Sequence, residues 1–196
     1  MRIAVSGTHS VGKSTFVKDF LYAYPDYKHE EEPYRVLREF YDIKFGNKST
    51  RFHNGIQLYY NITRVQSYLS SLDNVIFDRC PIDYIAYSLY TANHKQTDIN
   101  LAFVEGMIEP VLNSLKNLDL ILFIPITEKH LIEIEDDGIR PTDQSYRNEV
   151  DAIFKSIYRE KLFGIMSQAN LPKVIEIWGT REQRITQVSD LLNEEK

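Results

Sequence analysis

The chain has a single cysteine, Cys80, among its 196 residues, so no intrachain disulfide can form and a reducing compartment is expected. A surplus of positive charge is also missing. Its 23 Lys and Arg against 28 Asp and Glu leave a net charge of −5. That argues against a protein that grips nucleic-acid backbones, because such proteins carry a basic face. Long hydrophobic runs are absent as well. The longest, Leu118 to Ile126, is interrupted by Asp119 and is too short to span a bilayer, so no membrane partner is expected. Glycine and proline number 8 and 7 and nowhere gather into a linker or a low-complexity tract. The opening run MRIAVSGTHS leads straight into a motif, so no leader peptide is expected, and a cytoplasmic location is the default. His29, His53, His94 and His130 stand without metal-ligand spacing, which makes a zinc site improbable.

What is present fits one domain over residues 1–196, with a small helical lid at about 134–150. At 43% hydrophobic and 26% charged residues, the chain can bury a core without staples. Ile3 to Ser6, Tyr27 to Glu31, Val75 to Asp78, Leu120 to Pro125 and Val174 to Ile177 read as strands. Most are short runs of Ile, Val, Leu and Phe, as strands covered on both faces require, whereas Tyr27 to Glu31 alternates poorly. Helical spacing runs through Thr15 to Ala23, Tyr34 to Phe40, Gly55 to Leu72, Leu101 to Leu115, Tyr146 to Phe163 and Arg181 to Asn193. Alternating strands and helices predict an α/β fold of three layers, a five-stranded parallel sheet with helices on both faces.

Gly7-Thr8-His9-Ser10-Val11-Gly12-Lys13-Ser14 matches G-x-x-x-x-G-K-[ST] at every fixed position. Gly7 and Gly12 allow backbone angles and close approaches that a side chain would block. The amides from Gly7 to Thr15 then converge on phosphate oxygens, helped by the positive end of the following helix. Lys13 brings a mobile charge to the outer phosphates, and the Ser14 hydroxyl ligates magnesium. His9, Ser10 and Val11 fill the variable positions, and His9 reads as a spacer. ATP and Mg2+ are the expected cofactors.

Two large subclasses of phosphate-loop protein do not fit. A GTPase places Asn-Lys-x-Asp after an apolar strand, but Leu120 to Pro125 is followed by Ile126-Thr127-Glu128-Lys129. A motor or remodelling ATPase ends a strand in Asp-Glu, but Val75-Ile76-Phe77 ends in Asp78-Arg79. Asp78 at a strand end can hold magnesium directly or through water, and Arg79 beside it can meet an anionic group. A surface ion pair is the plainer reading of the same dipeptide.

Glu32-Pro33, Gln57 and Asp78-Arg79-Cys80 resemble the Glu-Pro, glutamine and Glu/Asp-Arg-Ser features of deoxynucleoside kinases. The run Val75 to Asp83, with Asp136-Asp137-Gly138-Ile139-Arg140, resembles still more the small AAA-type ATPase family related to the ribosylnicotinamide kinase domain. The similarity covers nearly the whole chain in order and rough spacing. It implies a nucleoside-kinase-like fold and a small-molecule phosphoryl acceptor. It also implies that Glu32 is the general base, that Gln57 reads a base-like amide edge, and that Arg79 steadies the substrate or the migrating phosphoryl group. Cys80 departs from the serine of that pattern. Glu30, Glu31 and Glu32 run together, so the catalytic member stays open, and a solvated acidic strand end is the alternative.

The turn-rich segment Asp136 to Asp143 is expected to be a lid that carries Arg140, and more weakly Arg147, over the phosphates. Tyr59, Tyr60 and Tyr84 line a ring pocket or, more simply, pack in the core. A nucleotide-binding regulator without a small-molecule acceptor, or a hydrolase with water as acceptor, competes with the kinase reading. A homodimer is left open.

Overall fold

Five parallel strands form one sheet in the computed structural model, which describes residues 1–70, 72–128 and 142–194. They are β1 (Arg2–Ser6), β2 (Lys28–Glu30), β3 (Val75–Asp78), β4 (Leu120–Phe123) and β5 (Lys173–Glu176), in spatial order β2-β3-β1-β4-β5. The middle of the sheet is hydrophobic on both sides. Ile3 and Val5 of β1 face the layer made by α1 (Lys13–Ala23) and α7 (Arg181–Glu194), with Phe16, Phe20, Val188 and Leu191 packed on them. Ala4 faces the other layer, as do Phe77 and Phe123 of the flanking strands. That layer holds α3 (Arg51–Gln66), α4 (Pro81–His94), α5 (Leu101–Leu115) and α6 (Gln144–Tyr158). The predicted three-layer α/β class is therefore the observed one.

β2 is an edge strand of three residues, paired along one edge, with Lys28 and His29 exposed, which explains its weak alternation. The element that the hydrophobic pattern failed to announce is α4. Ten of its residues are buried, from Pro81 to Thr91, so it shows no polar stripe at helical spacing. Pro81 supplies its first turn, where a missing N–H costs nothing.

Helix ends also move, for local reasons. α3 starts at Arg51, earlier than the predicted Gly55, because Thr50 and His53 close a reciprocal cap. The Thr50 backbone N–H donates to His53 Nδ1 at 3.1 Å, and histidine here does the work usually given to Glu or Gln. The short helix α2 (Pro33–Leu37) stops before the predicted Phe40. α6 stops at Tyr158 and gives way to a 3₁₀ segment, Leu162–Ser167, entered through a left-handed Lys161. Residues 129–141 lie outside the described residues, and with them Arg140 and positions 134–141 of the expected lid; its remaining positions, 142–150, lead into and begin α6. Among the described residues no helix is long and apolar enough to cross a membrane.

Candidate active site

With β1 between β3 and β4, the loops leaving their carboxyl ends meet over one crevice. The loop from β1 into α1 turns on two glycines. Gly7 has φ +141°, and a Cβ there would lie 2.6 Å from the Ile124 carbonyl oxygen of the strand end beside it. Gly12 caps α1 in a left-handed conformation, φ 79°, and Ser10 takes the same region at φ 54° without being glycine. α1 carries no acidic residue in its first turn, so no side chain of its own offsets the positive end of its dipole. Lys13 opens the helix and is buried, its ammonium donating to the carbonyl oxygens of Gly7, at 2.8 Å, and Thr8. Ser14 is half-buried and Thr15 exposed. From α7, in the same layer as α1, Arg184 donates to the Val11 carbonyl at 2.8 Å and pins the loop's crown. No sequence motif pointed to Arg184.

Asp78 ends β3 in register with Val5 of β1, close to the start of the loop. It is buried, and its Oδ1 makes no hydrogen bond to any described residue. A buried carboxylate oxygen left bare is costly, and a hard cation or its water removes that cost. Asp78 with Ser14 is a donor set that suits magnesium, which keeps several waters and asks for only one or two carboxylates beside phosphate oxygens.

The structure separates the three consecutive glutamates. Glu30 ends β2 and pairs with Arg64, Nε to Oε2 at 2.7 Å, and with Tyr68. Glu31 is exposed, 3.8 Å from Arg35. Glu32 turns inward, 2% exposed, because it caps α2 while Pro33 takes the first helical position. There it accepts two bonds from Arg79, from Nε at 3.0 Å and from Nη2 at 2.7 Å, both on Oε1. Arg79 Nη1 reaches Asp83 Oδ2 and the Tyr87 hydroxyl, each at 3.4 Å. The Arg79 backbone sits at φ 142°, a strained conformation for a side-chain-bearing residue, and Asn61 donates to its carbonyl at 3.4 Å.

Asp83 is the part of this cluster that sequence reading passed over, although it stands in the same run as Asp78 and Arg79. It is fully buried on α4 and accepts from Ser6 Oγ at 2.5 Å, while Tyr158 donates to that same Oγ at 2.7 Å. Burial pushes its carboxyl up to about 6, against the pull of the Arg79 and Lys13 cations. Cys80, between Arg79 and Pro81, is fully buried, and burial raises its thiol pKa, so it stays protonated and inert.

Beside Glu32 and Arg79 opens a partly enclosed pocket. Five of its twelve lining residues bring rings: Phe45, Tyr84, Tyr87, Tyr146 and the imidazole of His9. Asn54 and Gln57 of α3 add amides. Gln57 is buried and donates to the His53 carbonyl at 2.9 Å, which fixes its plane. Asn54 is held between Ser49, 2.7 Å, and Ser88, 2.9 Å. Tyr84 presents a buried hydroxyl with no hydrogen bond to a described residue. Of the other tyrosines considered from sequence, Tyr59 is 55% exposed and Tyr60 half-buried, and neither lines the pocket. Tyr146 and Tyr87 do line it and were not singled out, since an aromatic on a helix gives no sign of which cavity it will face. Arg147, next to Tyr146, is buried, and its carbonyl accepts from Thr8 Oγ1 at 3.3 Å. The Thr180 N–H donates to Gln183 Oε1 at 2.9 Å, just before α7 begins at Arg181.

Residues 2–184 match the model of a protein family described as an AAA domain. No curated protein matches the chain. Solved structures do. A NadR protein in complex with NR superposes with a TM-score of 0.65 at 19% identity, over 96% of this chain and 50% of that one. The chain therefore spans about half the length of that relative. Deoxyadenosine kinase from M. mycoides, with products dCMP and a flexible dCDP bound, gives 0.65 at 16% identity over 100% of both chains. Thymidylate kinase from Candida albicans gives 0.66 at 16% identity, over 99% of this chain and 92% of that one. At these identities the likeness concerns the fold alone.

Proposed function

We propose that this chain, which belongs to the AAA-domain family, is an ATP- and magnesium-dependent kinase that moves the γ-phosphoryl group to a hydroxyl of a nucleoside, nucleotide or related ribosyl compound. One observation carries the reading. Glu32 is buried, held by Arg79, and stands at the rim of an aromatic pocket beside the phosphate loop. A protein that only switched between nucleotide states would need neither the pocket nor a carboxylate posted in it.

In this reading the loop from Gly7 to Ser14 binds the polyphosphate through its backbone, and Lys13 moves from its own carbonyls to the outer phosphates. Ser14 and Asp78 would hold magnesium, which would supply charge neutralisation at the phosphate oxygens. The rings of Tyr84, Tyr87 and Tyr146 wall the acceptor's place, and Gln57 and Asn54 orient it. The acceptor hydroxyl oxygen attacks the γ-phosphorus as the bond to the bridging oxygen breaks. Its proton passes to Glu32, and ADP leaves with the bridging oxygen. Arg79 keeps Glu32 aimed through Oε1, leaving Oε2, which lies 3.5 Å from Arg35, on the other side of the carboxylate. A cytoplasmic location is part of the same proposal.

A coupled ADP-release assay with a panel of nucleosides, nucleotides and nicotinamide riboside tests it. At least one acceptor should raise ADP release well above the water rate, and Lys13→Ala should abolish the rise together with triphosphate affinity. Release independent of every acceptor would leave a hydrolase or a regulator instead.

A further inference from the structure

Two arginines near the start of α7 reach towards α1 and its loop, and only one of them meets a carboxylate. Arg181 is exposed and takes both oxygens of Asp19, from Nε at 2.8 Å and from Nη2 at 2.6 Å. Arg184 is buried, 6% exposed, and pairs with no carboxylate among the described residues. A guanidinium is all donor and no acceptor. The acceptor it finds among the described residues is the Val11 carbonyl, 2.8 Å from Nη1. Its Nε is buried and makes no hydrogen bond to any of them. Burial lowers its pKa, and no neighbouring charge among the described residues opposes that pull.

A guanidinium stays charged at neutral pH even so, and a buried charge without an opposite charge is costly. Two helix ends add to the cost. Arg184 stands near the amino end of its own helix, where the dipole is positive. The carbonyl it grips belongs to the residue before Gly12, which caps the positive end of α1. An anion held by the loop would balance all three. The contact also fixes a direction. In a trans peptide the C=O and N–H point opposite ways, so a Val11 carbonyl held towards α7 turns the Gly12 N–H away from α7. That N–H is one of the amides that this motif aims at phosphate oxygens.

Resting on the phosphate-loop part of the kinase reading, we propose that Arg184 is a positioning residue of the triphosphate site. It aims the Val11–Gly12 peptide and keeps behind the loop a buried positive charge that bound phosphates neutralise. Without nucleotide that charge burdens the fold; with nucleotide it adds to affinity. Function and stability therefore pull in opposite directions at this position.

Arg184→Met and Arg184→Lys test it in the full chain. Each is compared with wild type by calorimetric titration with a non-hydrolysable ATP analogue and magnesium, and by urea unfolding without nucleotide. Arg184→Met should bind the analogue at least about tenfold more weakly, since opposite charges attract strongly across a protein interior. Its nucleotide-free form should unfold at a urea midpoint no lower than that of wild type. Arg184→Lys, which keeps the charge and a donor, should lose clearly less affinity than the methionine variant. A residue that merely braced the fold would behave otherwise: its loss would lower the nucleotide-free midpoint, or prevent folding, and either result would overturn the proposal. Wild-type affinity in Arg184→Met would overturn it too, as would a lysine variant as weak as the methionine one. Failure of wild type itself to bind the analogue would instead remove the phosphate-loop assignment on which the kinase reading stands.

Discussion

The imidazole of His9 stacks on the ring of Tyr146, with centroids 4.8 Å apart and planes 25° from parallel, so a residue of the phosphate loop is also a wall of the neighbouring pocket. A position that sequence reading treats as a spacer therefore joins two sites. His9→Ala should keep the loop's backbone while removing that wall. Aromatic contacts of this kind are worth about 0.5–1.5 kcal/mol, so the KM for the acceptor is expected to rise about two- to tenfold and that for ATP far less. Steady-state kinetics with each substrate varied in turn checks this, and an unchanged acceptor KM would count against the shared wall.

Glu32→Gln removes a base and keeps the shape. Turnover should fall by about 10²–10⁴-fold, the usual contribution of a positioned acid or base, while affinity for an ATP analogue stays within about twofold. The same change weakens the buried pair with Arg79, so stability should drop too, by up to about 3–5 kcal/mol. Single-turnover rates at a temperature where the variant remains folded separate the two effects. Unimpaired single-turnover chemistry would remove Glu32 from the role of base.

Asp83 ties pH to both activity and stability. Its folded pKa of about 6 lies above the ordinary 3.8, so the folded chain holds this proton more firmly than the unfolded one. Between those values stability contributed by this group falls as pH rises, because the fold favours the protonated form. Urea unfolding of wild type and Asp83→Asn across that range should show wild type losing ground to the variant as pH increases. Activity runs the other way: protonation below about pH 6 releases the hold of Asp83 on Arg79, so kcat/KM should decline there in wild type. A profile flat through pH 6 would deny Asp83 that influence.

Gly7 admits no side chain. Its φ of +141° and the 2.6 Å separation between a built Cβ and the Ile124 carbonyl oxygen mean that Gly7→Ala must displace backbone. Strain of this sort costs about 1–3 kcal/mol, and triphosphate affinity should fall sharply because the loop is moved as a whole. Urea titration and nucleotide titration of the same sample check both halves. Wild-type affinity in a destabilised variant would show that the loop tolerates displacement.

The phosphate loop was legible because its chemistry is local: eight consecutive residues, with glycines at positive φ and a lysine at the helix start. The strands were legible because burial on both faces writes itself as a continuous apolar run. α4 was not, and for the same physical cause, since a helix buried all round loses the polar stripe that marks helical spacing.

By itself, then, the amino-acid sequence determined the α/β class and the position of the anion-binding turn, since both depend on neighbours a few residues apart. Which of Glu30, Glu31 and Glu32 turns inward was decided only by the tertiary structure, through a guanidinium 47 residues away on another strand end. The aromatic walls were decided there too. Rings from the loop, from α4 and from α6 meet in one cavity, and no spacing along the chain encodes a meeting that arises from how separate layers pack.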